Sequence, residues 1–187
     1  MVMTAREALE VLARHRGDKA VVTSMTATGI WPALSDTPLD FAYIPSAMGH
    51  GPGLALGLAL ASGRGVIAVH GDGGTLMNLG CLVTLASNPA GVWLVILDNG
   101  LYEVTGGQVV AGAGRTDFAA MARAAGIGRV YSCGTLAEWE AAAGAAMGGV
   151  GPAVVVLKVE GRLGQKTPKP PRPMAEQVAR LREALGT

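Results

Sequence analysis

Three apolar runs decide what this chain can fold into: VIAV at residues 66–69, VWLVIL at 92–97 and AVVVLKV at 153–159. None alternates polar with apolar, so each strand must bury both of its faces, as strands do in parallel sheets covered on two sides. The segments between them supply the covers. Thr4-Ala5-Arg6-Glu7 is a capping box opening a helix whose Leu9, Leu12 and Ala13 recur at helical spacing. Helical patterns fall near residues 49–62, 75–86, 117–125 and 135–147, and shorter strands near 20–23, 41–44 and 129–132. This alternation predicts an α/β domain, a doubly wound parallel sheet with helices on both faces. Its expected span is residues 1–161. A Pro-rich strap follows at 162–173 (RLGQKTPKPPRP), then a C-terminal helix over 174–187 with Met174, Val178, Leu181 and Leu185 on one face.

Composition narrows the class. The chain has 187 residues, the size of one domain, with 15 basic against 14 acidic side chains and a net charge of +1. That balance lacks the basic footprint of a nucleic-acid binder, and 4% aromatic residues make no stacking platform for single strands. The 50% hydrophobic content suggests a buried subunit interface. The longest apolar stretches, 54–61 and 92–97, fall far short of the roughly 20 residues that cross a bilayer. Residues 1–16 carry no uninterrupted apolar region of the signal-peptide kind. Cys81 and Cys133, without CxxC or His spacing, read as buried small hydrophobes in a reducing compartment. The expectation is a cytoplasmic protein with no membrane span.

Ligands of doubly wound sheets bind beyond the carboxyl ends of the strands, and two such ends carry unusual residues here. Gly71-Asp72-Gly73-Gly74 leaves one strand and enters a helix, where glycines let backbone amides approach a phosphate. The usual nucleotide motifs do not fit. GxGxxG needs glycine at position 76, which is Leu76, and no Gly-Lys-Ser/Thr is present. Asp72 would repel a bare phosphate, so it suggests a metal between carboxylate and phosphate. Asn99 ends the next strand, with 25 residues between it and Gly73, and adjacent parallel strands bring it beside Asp72. A carboxylate, an amide oxygen, a backbone carbonyl, phosphate oxygens and water form a hard, oxygen-only set that suits magnesium rather than zinc.

Gly71-Asp72-Gly73, the spacer and Asn99 resemble the diphosphate–magnesium motif of thiamine-diphosphate enzymes, and the likeness runs from about Phe41 to Gly161. Asn99-Gly100-Leu101-Tyr102 and Thr105-Gly106-Gly107-Gln108 look like the following loop of two-subunit 2-oxoacid decarboxylases, of the sulfopyruvate decarboxylase β-subunit and phosphonopyruvate decarboxylase type. The resemblance implies the thiamine-diphosphate-binding fold and a set of roles. Asp72 and Asn99 would be side-chain ligands of Mg2+, with the Leu101 carbonyl as the third protein ligand. Amides at Gly73 and Gly74, in the turn begun by Gly71, would hold the diphosphate. Many relatives carry Ser at the position of Gly74, so a hydroxyl contact is missing here. Met48, in Ser46-Ala47-Met48-Gly49, would wedge the cofactor into a V, and the Ser46 carbonyl would accept from its exocyclic amine. His50 directly follows this motif, where relatives often carry an apolar residue; it reads as a catalytic proton donor or substrate contact, or else as a structurally satisfied histidine. Gln108 and Arg115, in a Gly-rich stretch, could meet an anionic substrate.

The family also needs a glutamate beside the cofactor's aminopyrimidine, supplied by a pyrimidine-binding domain. Glu7, Glu10, Glu138 and Glu140 lie in surface-type helical patterns. The resemblance therefore implies half an active site, completed by a pyrimidine-binding α-subunit that supplies the catalytic Glu, with self-association as well. The implied reaction is decarboxylation of a small 2-oxoacid through the cofactor's thiazolium carbon. A carboligase of the acetolactate synthase type would share every residue named. A ferredoxin-linked oxidoreductase subunit gains no support from two scattered cysteines, and a non-catalytic cofactor-binding partner remains the alternative from another class.

Overall fold

A computed structural model describes residues 2–44 and 48–186. In chain order the elements are α1 (Ala5–His15), β1 (Ala20–Thr23), α2 (Thr26–Ile30), β2 (Asp40–Ala42), α3 (Gly51–Ser62), β3 (Val66–Gly71), α4 (Asp72–Met77) and α5 (Cys81–Ser87). Then come β4 (Val92–Asp98), β5 (Leu101–Tyr102), β6 (Gln108–Val109), α6 (Phe118–Ala124), β7 (Arg129–Cys133), α7 (Leu136–Met147), β8 (Ala153–Lys158) and α8 (Met174–Leu185). Six strands form one sheet in the order β2-β1-β3-β4-β8-β7, every pairing parallel, while β5 and β6 make a separate antiparallel hairpin. This is the doubly wound α/β architecture expected from the apolar runs.

Side-chain alternation explains why those runs are unbroken. Ile67 and Val69, Trp93, Val95 and Leu97, and Val155 and Leu157 enter a core with α1 and α7. Their neighbours Val66 and Ala68, Val92, Leu94 and Ile96, and Val154 and Val156 enter a second core with α3, α5 and α6. Both faces are covered, so no position along the strand is free to be polar. Capping boxes Thr4/Glu7 and Thr135/Glu138 open α1 and α7, and Trp139 Nε1 donates to the Ala8 carbonyl at 3.0 Å to join the two helices.

One expected helix divides in two. The pattern over 75–86 is α4, which begins at Asp72, and α5, with Asn78 (φ −142°, ψ 57°) breaking the spiral between them. The Asn78 backbone N–H still donates to the Thr75 carbonyl at 3.2 Å, while its side-chain Nδ2 donates to the Gly49 carbonyl at 3.2 Å, tying the break to the segment before α3.

Two features place a crevice. The β1 crossover leads toward β2 at one edge, and the β3 crossover leads toward β4 on the other side. The direction of winding therefore reverses between β1 and β3, where such sheets open a cleft beyond the strand ends. Residues 160–173 then run without helix or strand from the end of β8, and α8 lies beside β2, with Gln177 Oε1 accepting from the Ala42 amide at 2.8 Å.

Candidate functional site

The reversal point holds a pocket of about 200 Å³. Four segments wall it: Ser24–Ala27 after β1, Met48 and Gly49 before α3, His70–Gly74 with Met77 at the β3–α4 turn, and Asn99 with 101–105 after β4. Register brings the last two together, because Gly71 pairs with Leu97 across the parallel strands.

Asp72 is the first residue of α4 and only 2% exposed. Its Oδ1 accepts from the Gly73 amide at 2.8 Å, and its Oδ2 accepts from the Gly100 amide at 2.7 Å, so the carboxylate bridges the turns after β3 and β4. Burial raises its carboxyl to about 6; the two amides oppose the rise and Asp98 adds to it. Among the described residues no cationic side chain pairs with it. A buried carboxylate held only by amides is the donor that a cation would neutralise. Asn99 Oδ1 accepts from the Leu101 amide at 2.9 Å, a tight Asx turn that leaves the Leu101 carbonyl in the same short loop. Asp72, Asn99 and Leu101 thus line the same pocket as the Gly73–Gly74 turn. A carboxylate, an amide oxygen and a backbone carbonyl are hard oxygen donors of the kind a divalent cation takes; among the described residues no group of three His, Cys, Asp or Glu side chains comes together.

The glycines of the turn are fixed by two rings. A Cβ at Gly73 would stand 2.4 Å from Tyr102 Cε1, and one at Gly74 would stand 2.6 Å from His70 Cε1. At position 74 the imidazole occupies the space that a side chain would need. His70 is buried, burial pushes it down to about 4, and its Nδ1 lies 3.3 Å from Thr75 Oγ1. It is a neutral packing group at neutral pH.

Met48 lines the pocket and is 65% exposed, while Ser46 lies outside the described residues. His50 is exposed at the N-cap position of α3 and is not among the pocket's lining residues. Gln108 and Arg115 are exposed and also outside that lining.

Several wall residues escaped the sequence reading. Met25 adopts φ 48°, ψ −121°, the only positive-φ non-glycine among the described residues, in a turn where strain of about 1–3 kcal/mol is held by its surroundings. Its neighbours explain the hold: Ser24 Oγ donates to the Val69 carbonyl at 3.1 Å, and Thr26 Oγ1 donates to Glu103 at 2.7 Å. Nothing in Ser-Met-Thr announces such a turn. Glu103 is 5% exposed, with both carboxylate oxygens occupied by donors. Its surroundings could not be read from a local pattern, since the donors come from residues 26 and 162.

A parallel sheet with a glycine turn at its reversal point is the α/β arrangement in which backbone amides at a strand end can receive a phosphate group. The chain belongs to the thiamine pyrophosphate enzymes, as their C-terminal TPP-binding domain, a family that matches residues 23–157. Thiamine pyrophosphate and thiamine diphosphate are the same molecule. The chain is 35% identical over 152 residues to the phosphonopyruvate decarboxylase of Streptomyces viridochromogenes, covering 80% of this chain and 38% of that protein. It is 44% identical over 77 residues to the sulfopyruvate decarboxylase subunit beta of Methanothermobacter thermautotrophicus, 41% of each chain. Among solved structures, a Mycobacterium smegmatis protein described as thiamin diphosphate-dependent superposes with a TM-score of 0.70 at 29% identity, over 84% of this chain and 32% of that one. The chain spans less than half the length of these relatives. Among the described residues no helix is long and apolar enough to cross a membrane.

Proposed function

We propose that this chain is the diphosphate- and magnesium-binding subunit of a thiamine diphosphate-dependent 2-oxoacid decarboxylase of the sulfopyruvate/phosphonopyruvate type, active with a separate pyrimidine-binding subunit. The observation that carries the reading is Asp72, a buried carboxylate without a cationic partner, beside Asn99 and the glycine turn. Asp72, Asn99 and the Leu101 carbonyl would hold Mg2+, and the amides of Gly73 and Gly74 would hold the diphosphate. Met48, on the open side of the pocket, would support the bent cofactor, with Ser46 before it. The cofactor, when bound, supplies a nucleophilic carbon and an electron sink for loss of carbon dioxide.

This chain's own part is to bind, orient and keep water from the diphosphate end. Among the described residues lining the pocket the one glutamate, Glu103, has both oxygens engaged, which supports a catalytic glutamate arriving from the partner. The side chains of Leu60, Met77 and Val83 are exposed on α3, α4 and α5, the kind of apolar surface that subunit contacts cover, whether with the partner or a second copy. His50, outside the pocket lining, would act only in a site completed by that partner. Two free, buried thiols favour a reducing, cytoplasmic setting.

Calorimetric titration with thiamine diphosphate, with and without Mg2+, tests the reading. Saturable, Mg2+-dependent binding supports it. Binding that ignores Mg2+, or none even with a co-expressed pyrimidine-domain partner, overturns it.

A further inference from the structure

After β8 the chain presses directly on the loop that carries Asn99 and Leu101. A Cβ at Gly161 would stand 2.8 Å from the Asn99 carbonyl oxygen and 2.8 Å from Leu101 Cδ1. One residue later, the Arg162 amide donates to Glu103 Oε1 at 2.6 Å. Further along, Thr167 Oγ1 donates to the Val104 carbonyl at 2.9 Å. The other oxygen of Glu103, Oε2, accepts from Thr26 Oγ1 at 2.7 Å, immediately after the strained Met25. Glu103 therefore joins three segments distant in sequence: the β1–α2 turn, its own loop after β5, and the strap that follows β8. Among the described residues it has no cationic partner, and a buried carboxylate kept on such terms is costly. Glu103 and its partner Thr26 both line the pocket.

We propose that Glu103 is a positioning residue. It locks the strap and the β1–α2 turn onto the Asn99–Leu101 loop, so that the metal-binding oxygens and the glycine turn face each other at a fixed separation. The proposal rests on the cofactor reading above. Glu103 acts through the loop, because both of its oxygens are already committed within the chain.

The test uses the full chain, trypsin, and titration with thiamine diphosphate plus Mg2+. Trypsin can cut after Arg162 and Lys166, whereas Lys169 and Arg172 precede proline and resist it. Glu103→Ala removes both bonds. It should speed cleavage at the two open sites and weaken Mg2+-dependent binding about tenfold or more, the effect of losing hydrogen bonds to a charged acceptor. Glu103→Gln should restore both readouts to near the wild-type values, because its carbonyl accepts from Arg162 while its amide donates to a reoriented Thr26 hydroxyl. Thr167→Val lies outside the pocket lining and should weaken binding about threefold through the strap alone, on the scale of one net hydrogen bond.

Wild-type affinity in Glu103→Ala overturns the positioning role, as does a loss in Glu103→Gln equal to that of the alanine variant. If Glu103→Ala does not fold, wild-type cleavage and affinity in Thr167→Val overturn it instead. Absence of Mg2+-dependent binding by the wild-type chain with its partner overturns the cofactor reading and this role together. Unchanged affinity in a variant of a binding-competent chain overturns this role alone.

Discussion

Asp72 gives the metal-free chain a pH-dependent stability that can be read without any ligand. An ordinary Asp ionises near 3.8, and burial moves this one to about 6. Between those values the folded chain keeps a proton that the unfolded chain has released. The stability tied to that proton is complete below about pH 4 and is lost as pH rises through about 6. The displacement corresponds to about 3 kcal/mol. The assay is chemical denaturation in EDTA from pH 4 to 8, comparing the wild type with Asp72→Asn. An asparagine can accept from only one of the amides of Gly73 and Gly100, a pH-independent loss of about 1–3 kcal/mol, so the informative quantity is the slope. The wild type should lose about 2–3 kcal/mol relative to the variant between pH 4 and 7. Mg2+ with thiamine diphosphate at pH 7.5 should then stabilise only the wild type. Parallel pH profiles would refute the raised carboxyl, and equal stabilisation of both proteins would refute Asp72 as the metal's ligand.

Gly74→Ala drives a methyl into the His70 ring and should cost about 1–3 kcal/mol by thermal or urea unfolding; His70→Val should relieve part of it in a double-mutant cycle. Gly161→Ala forces the strap off the Asn99 carbonyl and should weaken Mg2+-dependent cofactor binding severalfold in calorimetry while far-UV circular dichroism is unchanged. Asp40 accepts from Arg16, Trp31, Ser35 and Thr37, so Asp40→Ala strands a largely buried guanidinium and should cost about 3–5 kcal/mol in urea denaturation.

The parts of this molecule legible in its sequence are those whose causes are local or periodic. Apolar residues on both faces of β3, β4 and β8 announced a sheet covered on two sides, and the Thr4 box marked its helix start within a residue. Gly71-Asp72-Gly73 and Asn99 could be paired because parallel register converts sequence spacing into adjacency. What stayed hidden depends on partners elsewhere in the chain. The left-handed turn at Met25 lacks the glycine that would have signalled it, and is held by Val69 and Glu103. The break at Asn78 sits where its side chain reaches the Gly49 carbonyl, a partner from another segment. Glu103 sits among residues with no evident periodicity, and its burial is set by Thr26 and Arg162.

The strap has a further consequence for the order in which the molecule assembles. Its contacts, and that of α8 behind it, bridge long stretches of chain: 59 residues from Glu103 to Arg162 and 63 from Val104 to Thr167 for the strap, and 135 from Ala42 to Gln177 for α8. The strap and α8 also follow β8 in the chain, so in synthesis they emerge after every strand of the sheet. A chain emerging from synthesis therefore completes its sheet before it completes its cofactor pocket. Between those two moments it has the secondary structure of the finished protein, but the oxygens that would receive the metal are not yet braced.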